Sequence, residues 1–144
     1  MTIRRQKHAL YDCSYHIVWA PKYRKWILEG EIREEVKKIF EEIIEGIGLE
    51  KYAMEVSKDH IHLFLSIPPR YSVSEVVRKF KCISAKEIFM KYPHVKRELW
   101  GGEFWEDGYF VRTTGDQVTS EVVKKYIEYQ SQHSNKAEQL DFDF

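Results

Sequence analysis

The sequence predicts an α+β fold of the ferredoxin-like (RRM-like) kind: an antiparallel sheet in β-α-β-β-α-β order, helices on one face, and an additional C-terminal helix. Three observations predict it. Short runs rich in aromatic and β-branched residues alternate apolar with polar. Longer segments repeat their apolar residues at helical spacing. The two kinds interleave in that order along 144 residues, with no internal repeat and no low-complexity stretch. A chain of this length supports one hydrophobic core. We therefore expect a single domain over residues 1–133 and a polar, acidic, loose tail over 134–144.

Tyr11 to Ala20 is dense in aromatic and β-branched residues and stops at Pro21, which reads as the first strand. Residues 31–47 place Ile32, Val36, Ile39, Phe40, Ile43, Ile44 and Ile47 on one helical face, and Gly46 and Gly48 end the run. Lys51 to Ser57 sets Tyr52, Met54 and Val56 against polar neighbours, as a second strand would. His60 to Ile67 is a third, closed by Pro68 and Pro69. Ser72 or Ser74 can cap a helix reaching about Tyr92, with Val73, Val76, Val77, Phe80, Ile83 and Ile88 inward. Phe104 to Thr113, interrupted by a turn at Glu106 to Gly108, supplies the fourth strand. After Gly115 a last helix, capped by Thr119 or Ser120, carries Val122, Val123, Tyr126 and Ile127 to about His133.

Formal net charge is zero, but its distribution is uneven. Residues 1–25 hold six bases against one acid, and residues 70–97 hold eight against two. Residues 26–69 and 98–144 are acidic in compensation. Two basic segments can form one phosphate-facing side while the acids solvate the other, although Lys and Arg on helices are also ordinary solvated residues. No window approaches 18 apolar residues, so no membrane span is expected, and the polar, basic start does not read as a signal peptide. Cys13 and Cys82 fit neither a disulfide framework nor a CxxC metal site. They read as free thiols of a cytoplasmic protein and as small buried apolar residues.

Candidate chemistry begins at Asp59-His-Ile-His-Leu-Phe-Leu-Ser66. Strand side chains alternate faces, so His60 and His62 project the same way, while Ile61, Leu63 and Leu65 point into the core. Two imidazoles roughly 7 Å apart along a strand can converge on a divalent cation. The same pair also suits the wet face of a half-buried strand, so it needs a partner. The last helix offers one: Val122, Tyr126 and Gln130 share a face. A phenol of pKa about 10 is a poor nucleophile at neutral pH unless a metal polarises the phosphate it attacks. Gln130 has an amide oxygen that could complete a metal shell. Tyr126 can equally be an amphipathic-helix aromatic, and Tyr129 competes for its role.

From residue 10 to 133 the chain resembles the single-tyrosine transposases of the insertion-sequence-200/605 type (TnpA-like), members of the HUH nuclease superfamily. The resemblance is collinear. It runs through Tyr15-His-Ile-Val-Trp-Ala-Pro-Lys-Tyr-Arg24, Asp59-His-Ile-His-Leu-Phe-Leu65, Phe80-Lys-Cys-Ile-Ser-Ala-Lys86, Trp105 with Gly108-Tyr-Phe-Val111, and Lys125-Tyr-Ile-Glu-Tyr-Gln130. Cys82 departs from the glycine expected in many relatives, outside the metal motif. The resemblance implies His60 and His62 as metal ligands, Gln130 as a further ligand, and Tyr126 as the nucleophile. It favours Tyr126 over Tyr129 because only Tyr126 has a glutamine four residues on.

The implied activity is metal-dependent cleavage and rejoining of single-stranded DNA through a 5′-phosphotyrosine, during excision and insertion of an insertion sequence. The cofactor would be Mg²⁺ or Mn²⁺. No nucleotide cofactor is implied, and no GxxxxGK[ST] loop is present. The substrate would be single-stranded DNA with hairpin ends, and the assembly a homodimer. Gly115 is a candidate hinge for the nucleophile helix and reads equally well as a simple turn glycine. Arg4, Arg5, Lys7, Lys22, Arg24, Lys79, Lys81 and Lys86 are candidate phosphate contacts, and Tyr23 and Trp26 candidate base-stacking rings, although Trp26 reads more naturally as a core residue. Three alternatives remain: a non-catalytic ferredoxin-like nucleic-acid-binding module, a domesticated or replication-type HUH nuclease, and a metal-dependent hydrolase that uses water.

Overall fold

Burial of alternating strand residues and of two helix stripes on one another gives the predicted α+β architecture. The computed structural model describes residues 4–6, 9–11 and 13–113. A two-stranded hairpin, β1 (Arg4–Gln6) and β2 (Ala9–Tyr11), precedes the main sheet. There follow β3 (Ser14–Trp19), α1 (Gly30–Ile47), β4 (Glu50–Ser57), β5 (His60–Ser66), α2 (Val73–Lys91), α3 (Pro93–Glu98) and β6 (Phe110–Arg112). The sheet order is β4-β5-β3-β6 with every pairing antiparallel. This is the ferredoxin-like order expected from the sequence.

Tyr15, Ile17 and Trp19 of β3, Ile61, Leu63 and Leu65 of β5, and Val56 of β4 face α1 and α2. Trp19 sits at the centre, its ring within about 6 Å of those of Phe40 from α1, Phe80 from α2 and Trp105. Helix α1 ends where Gly48 takes φ 84°, a left-handed turn that glycine adopts without strain, and its N–H donates to the Ile44 carbonyl. Helix α2 starts in a capping box. The Glu75 N–H donates to Ser72 Oγ at 3.1 Å, and the Ser72 N–H donates to the Glu75 carboxylate at 3.3 Å.

Several expectations are corrected. The first strand divides, Tyr11 falling in the N-terminal hairpin and the sheet strand starting at Ser14. The fourth strand shrinks to Phe110–Arg112, because Phe104 to Gly108 is a loop joined to the sheet edge by the Pro21–Trp105 bridge. Tyr52 does not share a face with Met54. A β-bulge between Lys51 and Ala53 inserts an extra residue and turns the Tyr52 ring onto Phe64 on the opposite face, 4.7 Å between centroids. Ile83 is exposed, and Ser84 takes the inward place expected of it. Trp26 is 61% exposed rather than in the core. The cysteines are free, as expected, but Cys82 is exposed and Cys13 only half-buried, so neither is a core residue. No helix among the described residues is long and apolar enough to cross a membrane. Residues 114–144, with the expected last helix and tail, lie outside the described residues.

Candidate active site

The face of the sheet turned away from α1 and α2 carries the histidines. In β5, Ile61, Leu63 and Leu65 are fully buried while His60, His62 and Phe64 are half-buried, the alternation that puts both imidazoles on one face. The structure thus puts His60 and His62 on one face of β5. Tyr126, Gln130 and Gly115 lie outside the described residues, as does Lys7.

Each imidazole is oriented by a neighbour. His60 Nδ1 lies 3.0 Å from Asp59 Oδ1, and Asp59 Oδ2 lies 3.9 Å from Arg24 Nε. A carboxylate on one ring nitrogen fixes the tautomer and makes the other nitrogen the natural ligand. His62 Nε2 lies 3.2 Å from His16 Nδ1 across the β3–β5 pairing, one ring N–H donating to the other nitrogen. His16 in turn stacks on Phe64, centroids 4.0 Å apart and planes within 8°. Burial lowers the His62 pKa; nearby Glu55 opposes the shift and His60 adds to it. The shift favours the neutral ring, the form that binds a cation. Among the described residues, no group of three or more His, Cys, Asp or Glu could hold a metal ion.

Sequence reasoning did not single out His16. The signal was the antiparallel pairing: His16 stands opposite Phe64, two places from His62 on the same face. It was masked because β3 is buried on both faces, so its alternation is hidden.

Of the candidate phosphate contacts, Lys79 and Lys86 are exposed on α2. Lys22 sits 3.6 Å from the Glu106 carboxylate, and Arg24 pairs with Asp59. Burial alone would lower the Lys22 pKa, but Glu106, Asp107 and Glu103 together outweigh it, and the net shift is upward. The Lys81 ammonium donates to the carbonyls of Glu106 and Gly108, both at 2.8 Å, so it clamps the loop before β6. The backbone of Arg4 and Arg5 lies in β1.

A second feature adjoins the histidines. After β3 the chain passes through a 3₁₀ turn, Lys22–Arg24, in which Tyr23 and Arg24 take φ of 59° and 52°. The Glu106 carboxylate accepts from the Tyr23 N–H at 3.1 Å and holds this turn in place. Glu106 is itself anchored, its N–H donating to the Ala20 carbonyl. Trp105, one residue earlier, donates from Nε1 to the buried Ser84 Oγ at 2.8 Å.

Fold and face together define a class: a ferredoxin-like domain presenting a paired-histidine strand on the face of its sheet opposite α1 and α2. The chain matches the family described as "Transposase IS200 like" over residues 9–130. It is 35% identical over 136 residues to the ISDra2 transposase TnpA of Deinococcus radiodurans, spanning 94% of this chain and 95% of that protein. It is 34% identical over 137 residues to the transposase of insertion sequence element IS200 of Salmonella typhimurium, spanning 95% and 89%. A crystal structure of a transposase from D. radiodurans superposes with a TM-score of 0.79 at 35% identity, covering 88% of this chain and 97% of that one. A REP-associated tyrosine transposase bound to a REP hairpin shares the fold, with a TM-score of 0.53 at 11% identity over 90% and 70% of the two chains. The chain belongs to the IS200-like transposase family.

Proposed function

We propose that this transposase cuts and rejoins single-stranded DNA by phosphodiester transesterification, with Tyr126 as nucleophile and a divalent cation held by His60 and His62. The observation that carries the reading is the shared face of the two imidazoles on β5, one backed by Asp59 and the other shifted by burial toward its neutral form. Mg²⁺ and Mn²⁺ favour oxygen donors, so the two imidazoles would need oxygen ligands beside them, for which the Gln130 amide and the phosphate itself are our candidates. When bound, such a cation withdraws charge from the scissile phosphate.

The chain's own residues do the rest. The Tyr126 phenol oxygen attacks phosphorus, and the bond from phosphorus to the 3′ oxygen breaks. The phenol proton is lost, and the released 3′ oxygen takes up a proton. One phosphoester replaces another, so bond energy is conserved and no nucleotide cofactor is needed. A 3′-hydroxyl later attacks the 5′-phosphotyrosine and restores the diester. Asp59 keeps the His60 ring aimed through its Nδ1.

We read the substrate as single-stranded ends bearing hairpins, in line with the hairpin-bound tyrosine transposase of the same fold. We read the working form as a cytoplasmic homodimer, and Gly115 as the hinge of the nucleophile helix. The test is incubation with single-stranded oligonucleotides carrying hairpin ends and Mg²⁺ or Mn²⁺, resolved on denaturing gels. Wild type gives a covalent protein–DNA adduct, and Tyr126→Phe binds DNA without forming one. An adduct in Tyr126→Phe rejects the assignment. DNA binding with no adduct from wild type on any hairpin end would favour a non-catalytic module.

A further inference from the structure

Tyr23, in the turn after β3, and Trp100, just after α3, meet far from each other in sequence, ring centroids 5.0 Å apart at 65°. Both stand in solvent, 49% and 73% exposed. Large aromatic rings usually bury their area in a core or an interface, so a contacting pair left in water calls for a ligand. Their backbones are unusual too. Tyr23, Arg24 and Trp100, none of them glycine, take φ of 59°, 52° and 53°. Such conformations persist where surroundings enforce them, and they cluster at ligand clamps. Here the enforcement is visible. The Tyr23 N–H donates to the Glu106 carboxylate, the Lys22 N–H to the Phe104 carbonyl, and the Trp100 N–H to the Arg97 carbonyl.

Cations are interleaved with the rings. Lys25 Nζ lies 4.6 Å from the Trp100 ring centre and is fixed by donation to the Glu98 carbonyl at 2.7 Å. Lys22 Nζ lies 5.7 Å from the Tyr23 ring centre. Arg24, the next residue, reaches Asp59, which orients His60. Exposed aromatics among lysines and arginines match the grooves that hold unpaired bases by stacking and their phosphates by charge. Protein interfaces, in contrast, are poor in lysine.

We propose that Tyr23 and Trp100 form a stacking platform for one unpaired base of the single-stranded DNA, flanking the phosphate presented to His60 and His62. The proposal rests on the nuclease reading above and assigns the pair a ligand of its own.

The test titrates the full chain with a single-stranded oligonucleotide in which 2-aminopurine, or an abasic site, is placed at each position in turn. Wild type should quench the fluorophore at one position and lose affinity about tenfold when that base is missing. Tyr23→Asn and Trp100→Asn remove the rings while keeping a residue that tolerates positive φ. Each should lose that quenching and about tenfold in affinity for the single strand, with duplex binding unchanged, and Trp100→Phe should restore much of it. If both Asn variants bind and quench as wild type does, the platform is overturned, while a Tyr126-dependent adduct would leave the nuclease reading standing. If the Asn variants alter oligomeric mass and not DNA binding, the pair is a protein contact and the proposal fails. Absence of any single-strand binding by wild type overturns both readings. The abasic walk on wild type alone decides the matter should an Asn variant fail to fold: equal affinity at every position refutes the platform.

Discussion

Ser84→Ala tests how the loop carrying Glu106 is held. Ser84 is fully buried; its hydroxyl donates to the Phe80 carbonyl at 2.6 Å and accepts from Trp105 Nε1 at 2.8 Å. Alanine fits the helix and leaves almost no void, so cavity formation contributes little. The Phe80 carbonyl keeps its place in the helical ladder. The Trp105 N–H, on a residue 4% exposed, loses its acceptor in a site closed to water. Leaving a buried donor unsatisfied costs about 1–3 kcal/mol. We expect a loss near 2 kcal/mol in urea unfolding and a fall of roughly 5–10 °C in Tm for a domain of this size. A double-mutant cycle with Trp105→Phe isolates the contact. In the Phe background, which has no N–H to strand, Ser84→Ala should cost well under half as much. Equal costs in both backgrounds, or a loss below about 0.5 kcal/mol in wild type, would refute this account of the loop.

Three further outcomes are expected. His60→Ala and His62→Ala, like treatment of wild type with a chelator, should lower the adduct-forming rate about 10²–10³-fold. Lewis-acid stabilisation is worth several kcal/mol and each 1.4 kcal/mol is tenfold; adduct formation at the wild-type rate in either variant contradicts the metal site. Burial lowers the Lys81 pKa despite Asp107, Glu103 and Glu106 pulling it upward. The folded state therefore sheds this proton before the unfolded chain, and Lys81 adds stability as pH rises from its depressed value toward 10.5. The stability of wild type relative to Lys81→Met should grow in urea titrations as pH rises through the window just below 10.5, and a constant or shrinking gap there would oppose it. Gly115→Pro should slow strand transfer without lowering Tm, and an unchanged rate would remove the hinge.

Much of the fold was legible because the sheet and the two long helices follow simple periods. The histidine face of β5 is the clearest case, since three fully buried aliphatics separate and frame its polar residues. What escaped has local causes. Tyr52 changed face because a bulge breaks a two-residue period without leaving a Gly or Pro to mark it. Trp26 lies in the irregular stretch between the 3₁₀ turn and α1, where no period applies, and its ring packs under Lys58 at 3.7 Å instead of in the core. Ser84 takes the inward place expected of Ile83 because it lies four residues from both Phe80 and Ile88 on the buried stripe of α2, and Trp105, brought by a distant loop, donates to its hydroxyl. The Tyr23–Trp100 pair depends on left-handed backbone at non-glycine residues, which no propensity announces. The paired imidazoles could be placed from sequence, whereas His16 needed the strand register.

The most direct measurement of the central claim is to trap the protein on a single-stranded hairpin oligonucleotide with Mn²⁺, digest the adduct, and map the nucleotide-bearing peptide by mass spectrometry. The account predicts a phosphodiester remnant on Tyr126. A remnant on Tyr129 or on any other residue, or cleaved DNA with no protein attached, would contradict it.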